Sequence, residues 1–540
     1  MADYATLLRD HVTLTCRSVD RIFLQAYVPK LQSVGGVCQF LYWQKGFSIP
    51  SSAAFGKIGD AYVAEVYRWA KANAIPVRRF TKGENKEQIA RPLIDAAERE
   101  GGDGKVVLIG IAQEKTPMWR SWKAKGQEHA AHPHMEWGRQ MGFVNHFYFY
   151  LWDSEWGGAF WKTNAYAPWP VWIWLNGHTW AQRQCDRLGI GYTALDNGFR
   201  ECADPKILQR ICDRLGSGAV KSFFWRWHKR LPSPLTRADA DVRAGYVYEL
   251  AFRQFEISDT RVFDRPAAGR SFFEQLIRDH LDIGRPESVS LIFDRHIIRT
   301  TPGSWRTKVI TKGVDPQISC YYKSSRIKQY FKEQRALRTE TVICNTRDFG
   351  IGRRLTAENW KALRAVGEAA NQRLYDAQVA DARSAPDVAT FTQVTRPSQI
   401  DGQHAPGLPF GDPRVMAVLA AIVGFTHLLA GFDNPTLVHL VATLLDQPYT
   451  SRQATYDLRR LKRKGLIVRL SGHHRYQLTP LGIRVAVLFT KTYGRVLAPG
   501  LAALDPRLPP DVVRRSPLAI AWRQFDCALD NFISEALTTA

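Results

Sequence analysis

Tyrosine, lysine and carboxylate side chains stand close together where strand signals meet turn signals, an arrangement suited to phosphoryl transfer. Tyr321-Tyr322-Lys323 closes one alternating run, Arg326, Lys328, Lys332 and Arg335 follow, and Leu337-Arg338-Thr339-Glu340-Thr341 opens the next. Hydroxyl, carboxylate and ammonium groups are the types that phosphodiester chemistry uses. The same residues also suit a sheet that grips a phosphate backbone without cutting it, with Tyr321 or Tyr322 stacked on a base. A second set is Glu114, Asp153, Glu155 and Asp196, at the ends of expected strands. Acids so placed can hold Mg2+ ions that stabilise the attacking and leaving oxygens of a phosphoryl transfer. Turn geometry accounts for Asp153-Ser154 and Asp196-Asn197-Gly198 as well, because turns require those residue types. His178 follows a strand and is either a general base or a core histidine.

The order of strand, basic segment and strand, with Tyr-Lys and Arg-x-Glu, resembles DNA-nicking replication initiators. The resemblance implies that Tyr322 is a candidate nucleophile toward a phosphodiester, Glu340 a candidate ligand for a divalent metal that polarises it, and Lys323 a phosphate clamp. Those initiators also carry a His-hydrophobic-His metal motif; the nearest candidate, His132-Pro133-His134, has proline in the middle and lies far upstream. Glu84-Asn85-Lys86 matches the Glu-x-Lys half of a restriction-type nuclease motif, with no Asp-bearing strand placed before it. Near the C-terminus, Thr450-Ser451 can cap a helix whose apolar stripe is Ala454, Leu458 and Leu461, and Gly465 can end it. Two short alternating runs, Ile467 to Leu470 and Arg475 to Leu478, come next. From roughly Asn434 to Tyr493 this pattern resembles winged-helix DNA-binding domains of bacterial regulators and initiators. The resemblance implies groove or phosphate contacts by Arg452, Arg459, Arg460, Arg463 and Lys464, with Arg469 and His474 on the wing. The fold also serves as a dimerisation module, which is the competing reading.

The charge balance points the same way. The 540 residues carry 74 Lys plus Arg against 51 Asp plus Glu, a net charge of +23. Such an excess favours a polyanionic partner, because each neutralised phosphate releases condensed counterions. The excess is concentrated. Arg452 to Arg469 holds seven basic residues and one acid, and Arg295 to Arg338 holds eleven basic residues and two acids. Trp119, Trp122 and Trp137 alternate with Lys115, Arg120, Lys123, Lys125 and Arg139. That interleaving suits stacking on unpaired bases and is the main support for a structured-RNA-binding function. Eight cysteines lie without metal-ligand or disulfide spacing, the expectation for reduced thiols in a cytoplasmic protein. The chain opens without a signal-peptide pattern, and the run Val415 to Ala430 is too short to span a bilayer, so no membrane partner is expected. Neither a phosphate-binding loop for ATP nor a dinucleotide fingerprint is present.

The elements that must position these groups are legible in outline. The first two hundred residues alternate strand and helix signals: a strand at Val37 to Trp43, a helix at Ile58 to Asn73, a strand at Ile75 to Phe80, a helix at Lys86 to Glu98 and a strand at Lys105 to Ile111. This predicts a parallel sheet with packed helices, followed by antiparallel aromatic-rich strands at Phe143 to Tyr150, Ala159 to Asn164 and Val171 to Leu175. Helices are expected over Lys206 to Leu215, Ala219 to Arg230, Ala238 to Ser258, Ser271 to His280, Ser325 to Gln334 and Ala357 to Arg383. Strands are expected over Val289 to Phe293, Lys308 to Thr311, Ile318 to Tyr322 and Arg338 to Cys344. Pro386, Pro397, Pro406, Pro409 and Pro413 mark Ser384 to Pro413 as a linker, partly strapped to a neighbouring surface.

The expected organisation is therefore mixed α/β and α+β. An α/β domain with a mixed sheet spans 1–205, a helical segment 206–285 and a basic α+β unit 286–383. The linker is 384–413, and a winged-helix domain with C-terminal helices spans 414–540. Arg326, Lys328, Lys332 and Arg335 are expected on a helix facing phosphates. Phrases such as Ala112-Gln113-Glu114-Lys115, Leu175-Asn176-Gly177-His178, Leu195-Asp196-Asn197-Gly198-Phe199 and Gly284-Arg285-Pro286 resemble a family of long bacterial hypothetical proteins with a mobile-element character, to which no activity is attached. The expected function is binding of nucleic acid, DNA before RNA. The alternative is a Mg2+-dependent endonuclease, nickase or transposase.

Overall fold

In the computed structural model, residues 10–265, 316–379, 387–423, 431–470 and 474–492 are described apart from short gaps, together with 288–291 and scattered positions near 270 and 525. They fall into two compact units. One comprises Val12–Asp264 with Lys323–Ala369; the other comprises Met1–His11, Arg265–Tyr322 and Ala370–Ala540.

The first unit is built on one large sheet. Its elements in chain order are β1 (Val12–Tyr27), α1 (Val34–Gln39), α2 (Ser52–Ala72), β2 (Val77–Arg79), α3 (Lys86–Glu100), β3 (Lys105–Lys123), β4 (Met135–Asp153), β5 (Gly157–Asn164) and β6 (Val171–Asn176). Then come α4 (Gly177–Arg187), β7 (Tyr192–Leu195), β8 (Gly198–Cys202), α5 (Pro205–Arg214), α6 (Ser217–Arg230) and β9 (Glu249–Phe263). The chain passes into the second unit for the antiparallel pair β10 (Ser288–Leu291) and β11 (Pro316–Tyr322). It returns with β12 (Ser325–Lys332), β13 (Ala336–Ile343) and the first turns of α7 (Ala357–Val379). Within the unit the strand order is β12-β13-β9-β1-β6-β5-β4-β3-β2. The late strands thus join the sheet begun by the first two hundred residues.

The sheet is mixed, as expected, but the parallel part expected before the aromatic strands is reduced to a single pairing. Among the described residues of this unit only β2 with β3 runs parallel; β3 through β6 follow one another antiparallel. Alternation makes the reason visible. On β1, Ile22, Leu24 and Ala26 are fully buried while Phe23, Gln25 and Tyr27 are half-exposed, and β6 repeats this with Val171, Ile173 and Leu175 against Trp172, Trp174 and Asn176. One face of each strand enters the core and the other does not. The main core contains Phe40, Phe55, Phe147, Trp156, Trp169, Phe223, Phe224 and Trp227. A smaller one lies under α3, with Phe80, Ala90, Leu108, Tyr148 and Tyr150.

Three expected elements change type. Val37 to Trp43 is helical, because Ser33 caps Gly36 N and Val37, Phe40 and Leu41 bury at helical spacing. The expected helix over Ala238 to Ser258 is replaced by β9, which pairs along the length of β1. Ser325 to Gln334 is strand, not a basic helix. Ser325, Ile327, Gln329 and Phe331 are buried while Arg326, Lys328, Tyr330 and Lys332 alternate on the other face. The expected helix at 271–280 and strand at 308–311 lie almost wholly outside the described residues.

In the second unit α8 (Val388–Thr395), β14 (Ser398–Ile400) and β15 (Gln403–Ala405) occupy the stretch expected as a linker. Val394 and Leu408 are buried with Leu437, Leu461 and Phe489, so the segment belongs to that unit's core. Then follow α9 (Pro413–Val423), α10 (Asn434–Leu445), α11 (Ser451–Arg463), the hairpin β16 (Ile467–Arg469) with β17 (Tyr476–Leu478), and α12 (Pro480–Thr492). Thr450 and Gln453 close a reciprocal cap on α11, and Gly465 beyond it takes φ +71°. No helix among the described residues is long and apolar enough to cross a membrane. Cys16 and Cys212 approach to 3.8 Å as free thiols.

Candidate functional site

Asp20 on β1, Glu256 on β9 and Glu340 on β13 bring carboxylate oxygens within 4.8 Å of one another. The three strands are neighbours, and the side chains are 1%, 3% and 1% exposed. Register explains the meeting. Glu340 stands opposite Ser258 and Val342 opposite Glu256, so the two glutamates are diagonal neighbours on one face. On β1, Val19 pairs with Ile257 and Ile22 with Phe255, so Asp20 and Arg21 together oppose Glu256. Val19 and Ile22 are both fully buried, yet three residues apart they would face opposite sides of a regular strand. The bulge reconciles them and leaves Asp20 on the face of the glutamates.

Cations surround the acids. Lys328 of β12 forms an ion pair with Glu340 and lies 4.0 Å from Glu256 Oε2. Arg338 of β13 is fully buried; its Nη1 sits 3.8 Å from Asp20 Oδ2 and 3.7 Å from Glu340 Oε1. Its Nε donates to Thr260 Oγ1 at 3.0 Å and its Nη2 to the Asn197 carbonyl. Tyr330 donates its hydroxyl to Glu340 Oε1 at 2.8 Å, and Asn197 Nδ2 donates to Asp20 Oδ1 at 2.8 Å. Among the described residues, Asp20 Oδ2 and Glu256 Oε2 accept no hydrogen bond and Arg338 Nη1 donates none. Buried polar atoms left so are costly and mark a place for a further ligand. Burial pushes the Glu256 carboxyl up to about 7, with the charges of Asp20 and Glu340 adding to the effect and Lys328 and Arg21 opposing it. Burial works against the charge of Arg338, but Asp20 and Glu340 outweigh it and raise its pKa.

Of the expected chemical residues, Glu340 alone belongs to this group. Glu114, Asp153, Glu155 and Asp196 do not assemble into a metal-ligating group among the described residues, and cations hold each of them. Glu114 pairs with Lys162 at 2.5 Å and Lys86 at 3.2 Å. Asp153 accepts from Arg226, from Trp227 Nε1 and from the backbone of Glu155 and Trp156. Glu155 pairs with Arg226 and Arg187. Asp196 is exposed and lies 3.4 Å from Lys332. Its turn nevertheless matters, since Asn197 beside it holds both Asp20 and Arg338. His178 is a neutral core histidine between the Ser18 and Ser258 hydroxyls, its pKa driven well down by burial and by Arg338. Tyr322 ends β11 in the second unit, and Lys323 lies outside the described residues. Arg326 lies on β12 and Arg335 in the turn after it rather than on a helix, and Lys328 and Lys332 face carboxylates instead of solvent. Trp119 is buried, donates to the Leu31 carbonyl and is covered by Arg139, so the expected Trp-basic platform is packed there.

On α11 the cations separate into two sets. Arg460 and Lys464 are buried. Arg460 Nη2 donates to the Gly407 carbonyl at 2.6 Å, and Lys464 Nζ donates to the Arg396 carbonyl at 2.7 Å and to Ser398 Oγ at 2.6 Å. Arg463 donates to the His404 carbonyl at 2.7 Å. These three anchor the segment before α9. Arg452, Thr455, Tyr456, Arg459 and Lys462 form an exposed stripe at helical spacing, and exposed Arg469 and His474 meet on the hairpin at 2.8 Å.

Asp20, Glu256 and Tyr330 were not singled out from the sequence, and Arg338 entered only as the first residue of the Arg-x-Glu pattern. The available signal was the break of period in Val19-Asp20-Arg21-Ile22 and a lone acid inside Phe255-Glu256-Ile257. No family model, curated protein or solved structure matches this chain.

Proposed function

We propose that this protein is a divalent-cation-dependent enzyme of phosphodiester chemistry on DNA, with α11 and its hairpin as a duplex-binding element of winged-helix type. The observation that carries the reading is the trio Asp20, Glu256 and Glu340, buried on adjacent strands, in which Asp20 Oδ2 and Glu256 Oε2 accept no hydrogen bond among the described residues. Three hard oxygen donors of this kind suit Mg2+ or Mn2+. Such a cation supplies Lewis-acid polarisation of a phosphoryl oxygen. Lys328 and Arg338 hold the carboxylates in place, and exposed Arg21 beside them would meet the negative charge of a phosphate. The exposed stripe Arg452, Arg459 and Lys462 supports a polyanion contact, and its Tyr456 and Thr455 suit groove edges or phosphates.

A second reading rests on the same group. Lys328, Arg338 and Arg21 match three carboxylates in number, as an internal ion network in a DNA-binding protein without catalysis would. Calorimetric titration of the whole protein with Mn2+ separates the two. Binding that falls at least tenfold in Asp20→Asn and Glu340→Gln, together with nicking of supercoiled plasmid slowed about 100-fold, supports the enzyme. Equal titration of all three proteins and no nicking leaves the ion network. Independently, Arg452→Glu, Arg459→Glu and Lys462→Glu together should weaken duplex affinity and flatten its salt dependence by about one unit of slope for each phosphate no longer neutralised. An unchanged slope removes α11 from the interface.

A further inference from the structure

We infer that the half-exposed face of the sheet in the first unit is a track for single-stranded nucleic acid that leads to the carboxylate cluster. The inference deepens the proposed function and rests on that reading for the chemistry at the end of the track. Register places Phe23 of β1 opposite Trp174 of β6, and Trp174 opposite Phe160 of β5, so three rings form one row across three strands. Phe23 and Trp174 lie 5.5 Å apart; Trp174 and Phe160 lie 6.4 Å apart with planes only 9° from parallel. The row ends at Phe160, because the next ring, Tyr148 of β4 at 6.4 Å, is buried in the core under α3. Phe23, Trp172, Trp174 and Phe160 are half-exposed, whereas Leu24, Ile173 and Trp161 on the other face are buried. A contiguous row of large rings left partly in water is the feature that a ligand covers.

The chemistry of the rim selects the ligand. Lys162 lies over Trp172 at 5.1 Å and over Tyr148 at 5.0 Å, and exposed Arg253 reaches Gln25 of the same face. Exposed Arg21 lies two residues from Phe23 along β1, beside Asp20. Two residues of strand span about 7 Å, close to the spacing of adjoining nucleotides in an extended strand. Rings seated in a sheet can stack only on unpaired bases, while flanking cations follow the backbone. A single strand laid along the row with its bases on Phe23, Trp174 and Phe160 therefore brings a phosphate toward Arg21 and the Asp20–Glu256–Glu340 group.

The test uses the full chain with EDTA present, so that cation chemistry is silent, and measures anisotropy of labelled 12-nucleotide DNA and RNA strands and of a 12-base-pair duplex. Trp174→Ala and Phe23→Ala should each lower single-strand affinity about tenfold, with Trp174→Phe retaining most of it and circular dichroism unchanged. The Arg452→Glu, Arg459→Glu and Lys462→Glu protein should keep its single-strand affinity while losing duplex affinity. Because EDTA removes the cation, failure of the metal reading leaves this measurement of the track intact. Full single-strand affinity in folded Trp174→Ala, or loss of it only when α11 is altered, overturns the inference. The DNA and RNA arms decide which strand is preferred.

Discussion

Arg338→Met is expected to destabilise the first unit by about 3–5 kcal/mol, the cost of stranding buried carboxylates without their cation. Arg338 has no exposed surface and stands between Asp20 and Glu340. Its other nitrogens tie Thr260 on β9 to the Asn197 carbonyl at the tip of the β7–β8 hairpin. Gly198 is required there, because a Cβ at that position would come within 2.3 Å of Arg338 Nη2, and its φ is +132°. Arg338→Lys should not rescue, since an ammonium cannot hold Thr260, Asn197 and two carboxylates with one fork. The measurement is urea unfolding followed by tryptophan emission, which the first unit dominates through buried Trp156, Trp169 and Trp227. The double variant Arg338→Met with Glu340→Gln should recover part of the loss, because it removes one stranded charge. A loss below about 1 kcal/mol, the range of exposed pairs, would mean that water reaches the cluster freely.

How much of this was legible follows from the period of each segment. The cap at Thr450, the stripe Ala454–Leu458–Leu461 and the hairpin after Gly465 could be read from the chain because local chemistry sets them. The aromatic strands β5 and β6 were legible for the same reason. Long-range pairing decided the rest. The run Ser325 to Lys332 has a period of two, but its many Lys and Arg residues resemble a solvated helix face until β13 is seen beside it. Glu256 was lost inside a segment read as helix, and Asp20 lay in a strand whose alternation a bulge interrupts. The second fact hid both the element and the residue. Glu340 was legible because it follows Arg338 in a strand-like run. Charge counting identified cations but not their roles: Arg460 and Lys464 hold the fold, and only their neighbours on α11 face outward.

Glu256 should make the first unit less stable as pH rises, against the usual behaviour of a paired carboxylate. Its folded pKa stands at about 7, above the ordinary 4.5, because burial and the neighbouring acids favour the protonated form. Below 4.5 the group is protonated in both states and carries no penalty. Between 4.5 and 7 the unfolded chain releases the proton first, so stability falls, and above 7 the full penalty of about 3 kcal/mol is present. His178 acts in the opposite sense, since its folded pKa is depressed and stability it contributes grows as pH rises toward 6.5. Comparison with Glu256→Gln isolates the first effect, because His178 is common to both proteins. The difference in unfolding free energy should be near zero at pH 4.5 and should favour the variant by about 3 kcal/mol at pH 8. Added Mn2+ should narrow that gap at pH 8 and have little effect at pH 5, because a cation must displace the Glu256 proton to bind. Parallel pH curves for the two proteins would place Glu256 in water with an ordinary carboxyl. A gap that Mn2+ leaves unchanged would mean instead that the buried charge is held by Lys328 and Arg21 without a metal.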